Sequence, residues 1–203
     1  NPKSAIAHNN LGVLLKDTER LDEAKASFEE AIRLNPEFAE AHNNLGLALV
    51  DLYKYEDAEA CYNRAIKLNP NFAEAYNNLG NVFEEQIKYK EAIHAYSKAI
   101  SLKSKYTEAY YNIGNILRYV ILKRSDNVLQ KIITSFLDQK NIVRPIDIAN
   151  CAISLLKFEP DIKNFIHKNY NEKSQSSLIT NISKVSRIPL LLKLMSACPL
   201  PDV

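Results

Sequence analysis

A six-residue stretch recurs at a fixed interval of 34 residues along the first half of the chain. It reads Ala7-His8-Asn9-Asn10-Leu11-Gly12, then Ala41-His42-Asn43-Asn44-Leu45-Gly46, then Ala75-Tyr76-Asn77-Asn78-Leu79-Gly80. A worn copy follows, Ala109-Tyr110-Tyr111-Asn112-Ile113-Gly114, and the four glycines that close these copies are the only glycines in 203 residues. Each unit of that length is too short to bury its own apolar face. The chain is therefore expected to stack its units into an all-α solenoid rather than close into a globule.

Within a unit, apolar residues fall three and four apart in two runs, as in Phe38, Ala41, Leu45, Leu49 and then Ala58, Tyr62, Ala65, Ile66. That period predicts two amphipathic helices, separated by a turn at Asp51-Leu52-Tyr53-Lys54-Tyr55. Acidic residues open the second helix (Asp22, Glu23; Glu56, Asp57; Glu91) and Arg33 or Lys67 lies near its end, both favourable to the helix dipole. Pro36 and Pro70 cannot continue the preceding helix and separate one unit from the next. A mid-helix Gly costs about 1 kcal/mol relative to Ala. Gly12, Gly46, Gly80 and Gly114 are expected to admit the close approach of another helix backbone. Ala24, Ala58 and Ala92, and Ala31, Ala65 and Ala99, alternate with Phe28, Tyr62 and Tyr96 in the second helices, small against large.

These residues resemble the tetratricopeptide repeat (TPR). With the glycine counted as the eighth position, the bulky fourth position is His8, His42, Tyr76 and Tyr110, and the seventh is Leu11, Leu45, Leu79 and Ile113. The first two copies also carry the family's later Ala, aromatic, Ala and Pro. The third replaces only the Pro, with Ser104, and the fourth matches in its first helix alone. The resemblance implies a right-handed superhelical solenoid of three full repeats and a half repeat over residues 1–122. Residues 123–203 are expected to form an irregular C-terminal helical cap or connector.

In such arrays the first helices line a concave groove that takes extended peptides. Mapped onto this chain, the groove would carry Asn9, Asn43 and Asn77 at the fifth position and Asn10, Asn44, Asn78 and Asn112 at the sixth. Asn81 and Asn115 follow at the ninth, and Tyr111 breaks the fifth-position row. A side-chain amide offers two donors and an acceptor, which suits the backbone of any extended peptide. This row resembles the asparagine ladder of the O-linked N-acetylglucosamine transferase arrays. The competing expectation is that the same amides solvate the inner face or hydrogen-bond between repeats. Glu40, Glu74 and Glu108, with Asp17, Asp51, Glu84 and Glu85, make the face acidic, so a neutral to basic protein or peptide partner is expected. A clamp for a terminal carboxylate, which needs Lys or Arg on this face, is not.

Beyond about Ser125 the period disappears while helical spacing persists, with candidate helices opening at Ser125, Pro145, Pro160, Ser174–Ser177 and Pro189. Charge divides in the same way. Residues 1–120 hold 14 Lys/Arg against 17 Asp/Glu, and residues 121–203 hold 12 against 7. The basic charges of the tail are spread singly and match no nucleic-acid module, so nucleic acid is not the expected partner. The stretch from Ile188 to Asp202 resembles the connector after TPR arrays in bacterial proteins that continue into a methyltransferase or glycosyltransferase. That gives a first alternative, the non-catalytic targeting arm of a larger enzyme. A second alternative is a structural module that self-associates through its repeat ends.

No apolar run approaches the roughly 20 residues needed to span a bilayer. Three widely spaced cysteines without a paired motif point to a reducing, cytoplasmic setting. His8, His42, His94 and His167 do not fall at metal-ligand spacing, and no glycine-rich phosphate loop is present. The expectation is a non-enzymatic protein–protein interaction scaffold without cofactor or metal.

Overall fold

The computed structural model describes residues 2–119, together with 133, 134 and 156. The described residues hold seven α-helices: α1 (Pro2–Asp17), α2 (Leu21–Leu34), α3 (Ala39–Asp51), α4 (Tyr55–Leu68), α5 (Ala73–Glu85), α6 (Tyr89–Leu102) and α7 (Thr107–Tyr119). They pair as helix-turn-helix units: α1 with α2, α3 with α4, and α5 with α6, each unit resting on the next through α2–α3 and α4–α5. This is the expected all-α solenoid of three full repeats and the first helix of a fourth. Two compact units divide the chain at Ala109/Tyr110, inside α7. The tail helices foreseen from Ser125 onward lie outside the described residues, of which Ile133 and Leu156 are buried.

The turns show why these helices stop where they do. After α1, the Arg20 N–H donates to Leu15 O (2.9 Å) and the Glu19 N–H to Lys16 O (3.0 Å); Lys54 to Leu49 and Lys88 to Phe83 repeat the longer bond. This is a Schellman end, in which one residue turns left-handed so that orphan carbonyls find donors. Here that residue is Glu19, Tyr53 or Ile87, with φ near +60° in each case (60°, 58° and 60°). At the junctions between repeats, Asn35 and Asn69 are extended, as the residue before a proline must be. Their side-chain Oδ1 atoms accept from the Glu37 and Asn71 N–H groups, closing a small local turn. Lys103 adopts the same extended shape before Ser104, so packing holds that junction where proline is lacking.

The core is a row of alanines and aromatics. Ala24, Ala58, Ala92, Ala31, Ala65 and Ala99 are fully buried, and Phe28, Tyr62 and Tyr96 are the largest fully buried side chains. The close approach at the glycines differs from the expectation. A Cβ on Gly12, Gly46 or Gly80 would stand 2.6, 2.6 or 2.5 Å from the ring of Phe28, Tyr62 or Tyr96. An aromatic ring of the same repeat, not a helix backbone, occupies the space that the missing side chain leaves. The rings need that space because alanines on either side let the second helix lie close to the first.

Candidate functional site

First helices of successive repeats touch each other, α1 with α3 and α3 with α5, whereas second helices meet at most marginally. The first-helix layer is therefore the inner one in the first unit, and the asparagines belong to it. They do not form one uniform row. Asn9, Asn43 and Asn77 at the fifth position are buried, at 8%, 6% and 0% exposure, while Asn10 is exposed and Asn44 and Asn78 are half-buried. These three side chains follow the competing expectation of amides that hydrogen-bond between repeats. They lie between repeats.

The burial has a visible partner scheme. Asn44 Nδ2 donates to Asn9 Oδ1 at 2.9 Å, and Asn78 Nδ2 donates to Asn43 Oδ1 at 3.0 Å. Asn43 Nδ2 in turn donates to Asn44 Oδ1 at 3.4 Å. One chain of amides thereby runs Asn78, Asn43, Asn44, Asn9 through three repeats. In the third repeat the Asn77 Nδ2 donates separately to Glu108 Oε1 at 2.9 Å. Buried amides require such partners, because leaving one unsatisfied costs about 1–3 kcal/mol. The sequence carried a signal for this arrangement: each Asn-Asn doublet places a sixth-position donor 35 residues after a fifth-position acceptor.

The other candidates separate by location. Asn81 is half-buried, and its Oδ1 lies 2.7 Å from the Tyr96 hydroxyl, which also reaches Glu84 Oε2 at 2.9 Å. A hydroxyl has one proton, so it donates to one of these oxygens at a time. Tyr111 is exposed and Asn112 and Asn115 are half-buried; all three belong to the second unit. Part of the acidic character is neutralised locally. Asp51 pairs with Lys16 at 3.4 Å and Glu74 with Lys103 at 3.0 Å, while Asp17, Glu40 and Glu85 remain exposed. The Lys103 ammonium holds the Glu74 carboxyl below its ordinary range through their hydrogen bond.

Features suited to catalysis are sparse in these helices. Cys61 is half-buried, and desolvation pushes its thiol up to about 11, away from the thiolate that a nucleophile needs. A depression of about 340 Å³ between α5 and α6 is lined by Tyr76, Leu79, Phe83, Lys90, Glu91, His94 and Ala95. None of the candidate asparagines lines it. No described helix is long and apolar enough to cross a membrane.

Comparison with known proteins agrees with this geometry. A family profile described as TPR repeat matches residues 14–52 and 47–86, and a second, described as tetratricopeptide repeat, matches residues 73–106. Among solved structures, MamA is 32% identical with a TM-score of 0.53, the match covering 56% of this chain and 67% of that one. The Arabidopsis OM64 TPR domain is similar at 22% identity and a TM-score of 0.58, over 59% of this chain and 99% of that one. The first TPR of Spaghetti (RPAP3), bound to the HSP90 peptide SRMEEVD, is similar at 23% identity and a TM-score of 0.55, over 56% and 90%. No curated protein sequence matches the chain.

Proposed function

Taking as premise that the chain belongs to the tetratricopeptide-repeat family, we propose that it is a protein-interaction scaffold whose inner first-helix layer binds an extended peptide. The observation that carries this reading is the division of labour within each Asn-Asn doublet. The buried fifth-position amide fixes the sixth-position one, using a single N–H of Asn44 and of Asn78. Each of those half-buried side chains keeps a second N–H for a ligand carbonyl. Because the bond to the preceding repeat has already frozen the rotamer, less entropy is lost on binding. Asn10 extends the row at the first repeat and Asn81 deepens it at the third. Similar domains hold peptides, as the first TPR of Spaghetti bound to an HSP90 peptide does.

The favoured partner is neutral to basic. The peptide SRMEEVD held by that neighbour carries two Glu and a terminal Asp. Asp17, Glu40 and Glu85 would repel such a sequence.

The doublet geometry dictates the experiment. Peptides are selected from a displayed random library, and their affinities are measured by fluorescence anisotropy. Asn44→Ala with Asn78→Ala should weaken the selected peptides about tenfold, the loss of one or two neutral hydrogen bonds. It should also lower the melting temperature, because Asn9 and Asn43 lose their donors. Asn9→Ala with Asn43→Ala breaks the same two ladder bonds from the buried side and should lower the melting temperature while weakening binding less. Unchanged affinity in the Asn44/Asn78 pair would sink the groove reading, and selection of acidic peptides would sink the charge preference.

A further inference from the structure

Asn44 and Asn78 are half-buried at the same position of neighbouring repeats, so the interval between them limits what backbone can lie across both. Two observations set that interval. The helices that carry them, α3 and α5, touch each other, and packed helices keep their axes about 8–10 Å apart. The two amides are also tied through a single intermediary. Asn78 Nδ2 donates to Asn43 Oδ1 at 3.0 Å, and Asn43 Nδ2 donates to Asn44 Oδ1 at 3.4 Å. Two hydrogen bonds and the width of two amide groups leave the Asn44 and Asn78 nitrogens no more than about 11 Å apart. A ligand therefore meets successive donors at an interval of about 8–11 Å.

Few backbones present an acceptor at that interval. In a β-strand, carbonyls on one side recur every two residues, about 6.7 Å, and every four, about 13 Å; the first falls short and the second overshoots. An α-helix commits its carbonyls to its own N–H groups. Polyproline II has three residues per turn and rises about 3.1 Å per residue, so every third carbonyl faces the same way about 9.3 Å further on. We infer that the segment held by the inner layer binds as a polyproline II helix, giving the carbonyls of two residues three apart to Asn44 and Asn78. This rests on the peptide-binding reading of the same layer and names the backbone that reading leaves open. The chemistry of the amides favours proline within the segment. Asn44 Oδ1 already accepts from Asn43, so its second N–H is what faces the ligand. A site that donates makes no use of a ligand N–H, and proline, which lacks one, loses nothing there. A segment already in polyproline II also gives up less conformational entropy on docking. The partner is thus a proline-rich, neutral to basic segment and not an added β-strand.

A backbone scan of a bound peptide tests the period, with the full chain as receptor. The probe is a fluorescein-labelled peptide selected from the displayed random library. Each of its amides is replaced in turn by an ester, which weakens the carbonyl as an acceptor, and separately by the N-methyl form, which removes only the N–H. Esters at two positions three residues apart should each weaken binding about fivefold, while the N-methyl forms there stay within about twofold. Asn44→Ala should abolish the ester effect at one of these positions, and Asn78→Ala the effect at the other. Each comparison sets ester against amide on the same variant, so a change in folded fraction cancels. Sensitive carbonyls two or four residues apart, no sensitive pair, or loss of binding on N-methylation overturns the polyproline II inference while the groove reading stands. Selected peptides whose affinity neither variant changes overturn the groove reading, and this inference with it.

Discussion

At the scale of single residues, the small-large pairs decide whether a repeat can close. Gly46 would place a Cβ 2.6 Å from the Tyr62 ring, and that ring is buried, at 1% exposure. In an isolated helix Gly→Ala is worth about 1 kcal/mol of stabilisation. Here overpacking opposes it with a cost of about 1–3 kcal/mol. Gly46→Ala should therefore lower the urea midpoint despite its better helix propensity. Pairing it with Tyr62→Leu, which removes the ring, should restore part of the loss relative to Tyr62→Leu alone. If Gly46→Ala raised the midpoint, the ring would not be what requires glycine.

At the scale of elements, the turns carry strain that the sequence pattern did not announce. Tyr53 and Ile87 occupy the left-handed position that ends a first helix, where glycine is at ease and a β-branched residue is a true outlier. Both side chains are exposed, at 79% and 72%, so neither repays the cost by burial. Ile87→Gly should raise stability by about 1 kcal/mol, seen as a higher melting temperature, because relief of backbone strain outweighs the entropy that glycine adds to the unfolded chain. A drop in melting temperature would mean that Ile87 makes a compensating contact. Between elements, the ion pairs Lys16–Asp51 and Lys88–Glu59 link neighbouring repeats but are solvent-accessible and add little. The buried amide ladder is the stronger inter-repeat tie.

At the scale of the whole molecule, repeat stability is a sum of units and interfaces, so a titrating group at one junction is felt along the stack. His42 is such a group. Its Nε2–H donates to Pro36 O at 3.1 Å, across the junction that opens the second repeat. Burial lowers its pKa, and Arg64 lowers it further against the raising effect of the Pro36 carbonyl. The ring thus prefers to be neutral when folded, and the unfolded chain binds the extra proton. The stability it contributes is present above the ordinary value of 6.5 and is lost as pH falls through and below it. Urea midpoints measured between about pH 7.5 and about pH 5.5 should fall for the unsubstituted chain and fall less for His42→Tyr, which copies Tyr76. Equal slopes would exclude His42 as the source.

Much of this molecule follows from local sequence. The 34-residue period, the alanine-aromatic alternation and the helix-ending Asn35-Pro36 and Asn69-Pro70 are signals within one repeat, and the solenoid, its turns and its core follow from them. The inner layer's asparagines were legible as a row, and both of their roles were foreseen as alternatives, but which residue takes which role was not. Asn43 and Asn44 are neighbours on one helix with identical chemistry. Only the offset between stacked repeats buries the first and half-exposes the second, because it brings residue n of one repeat against residue n+35 of the next. The reason for each glycine was likewise out of reach, since an aromatic ring and a helix backbone demand the same missing Cβ. Periodicity determines which residues face inward; the distance and stagger between helices decide which of those are already spoken for.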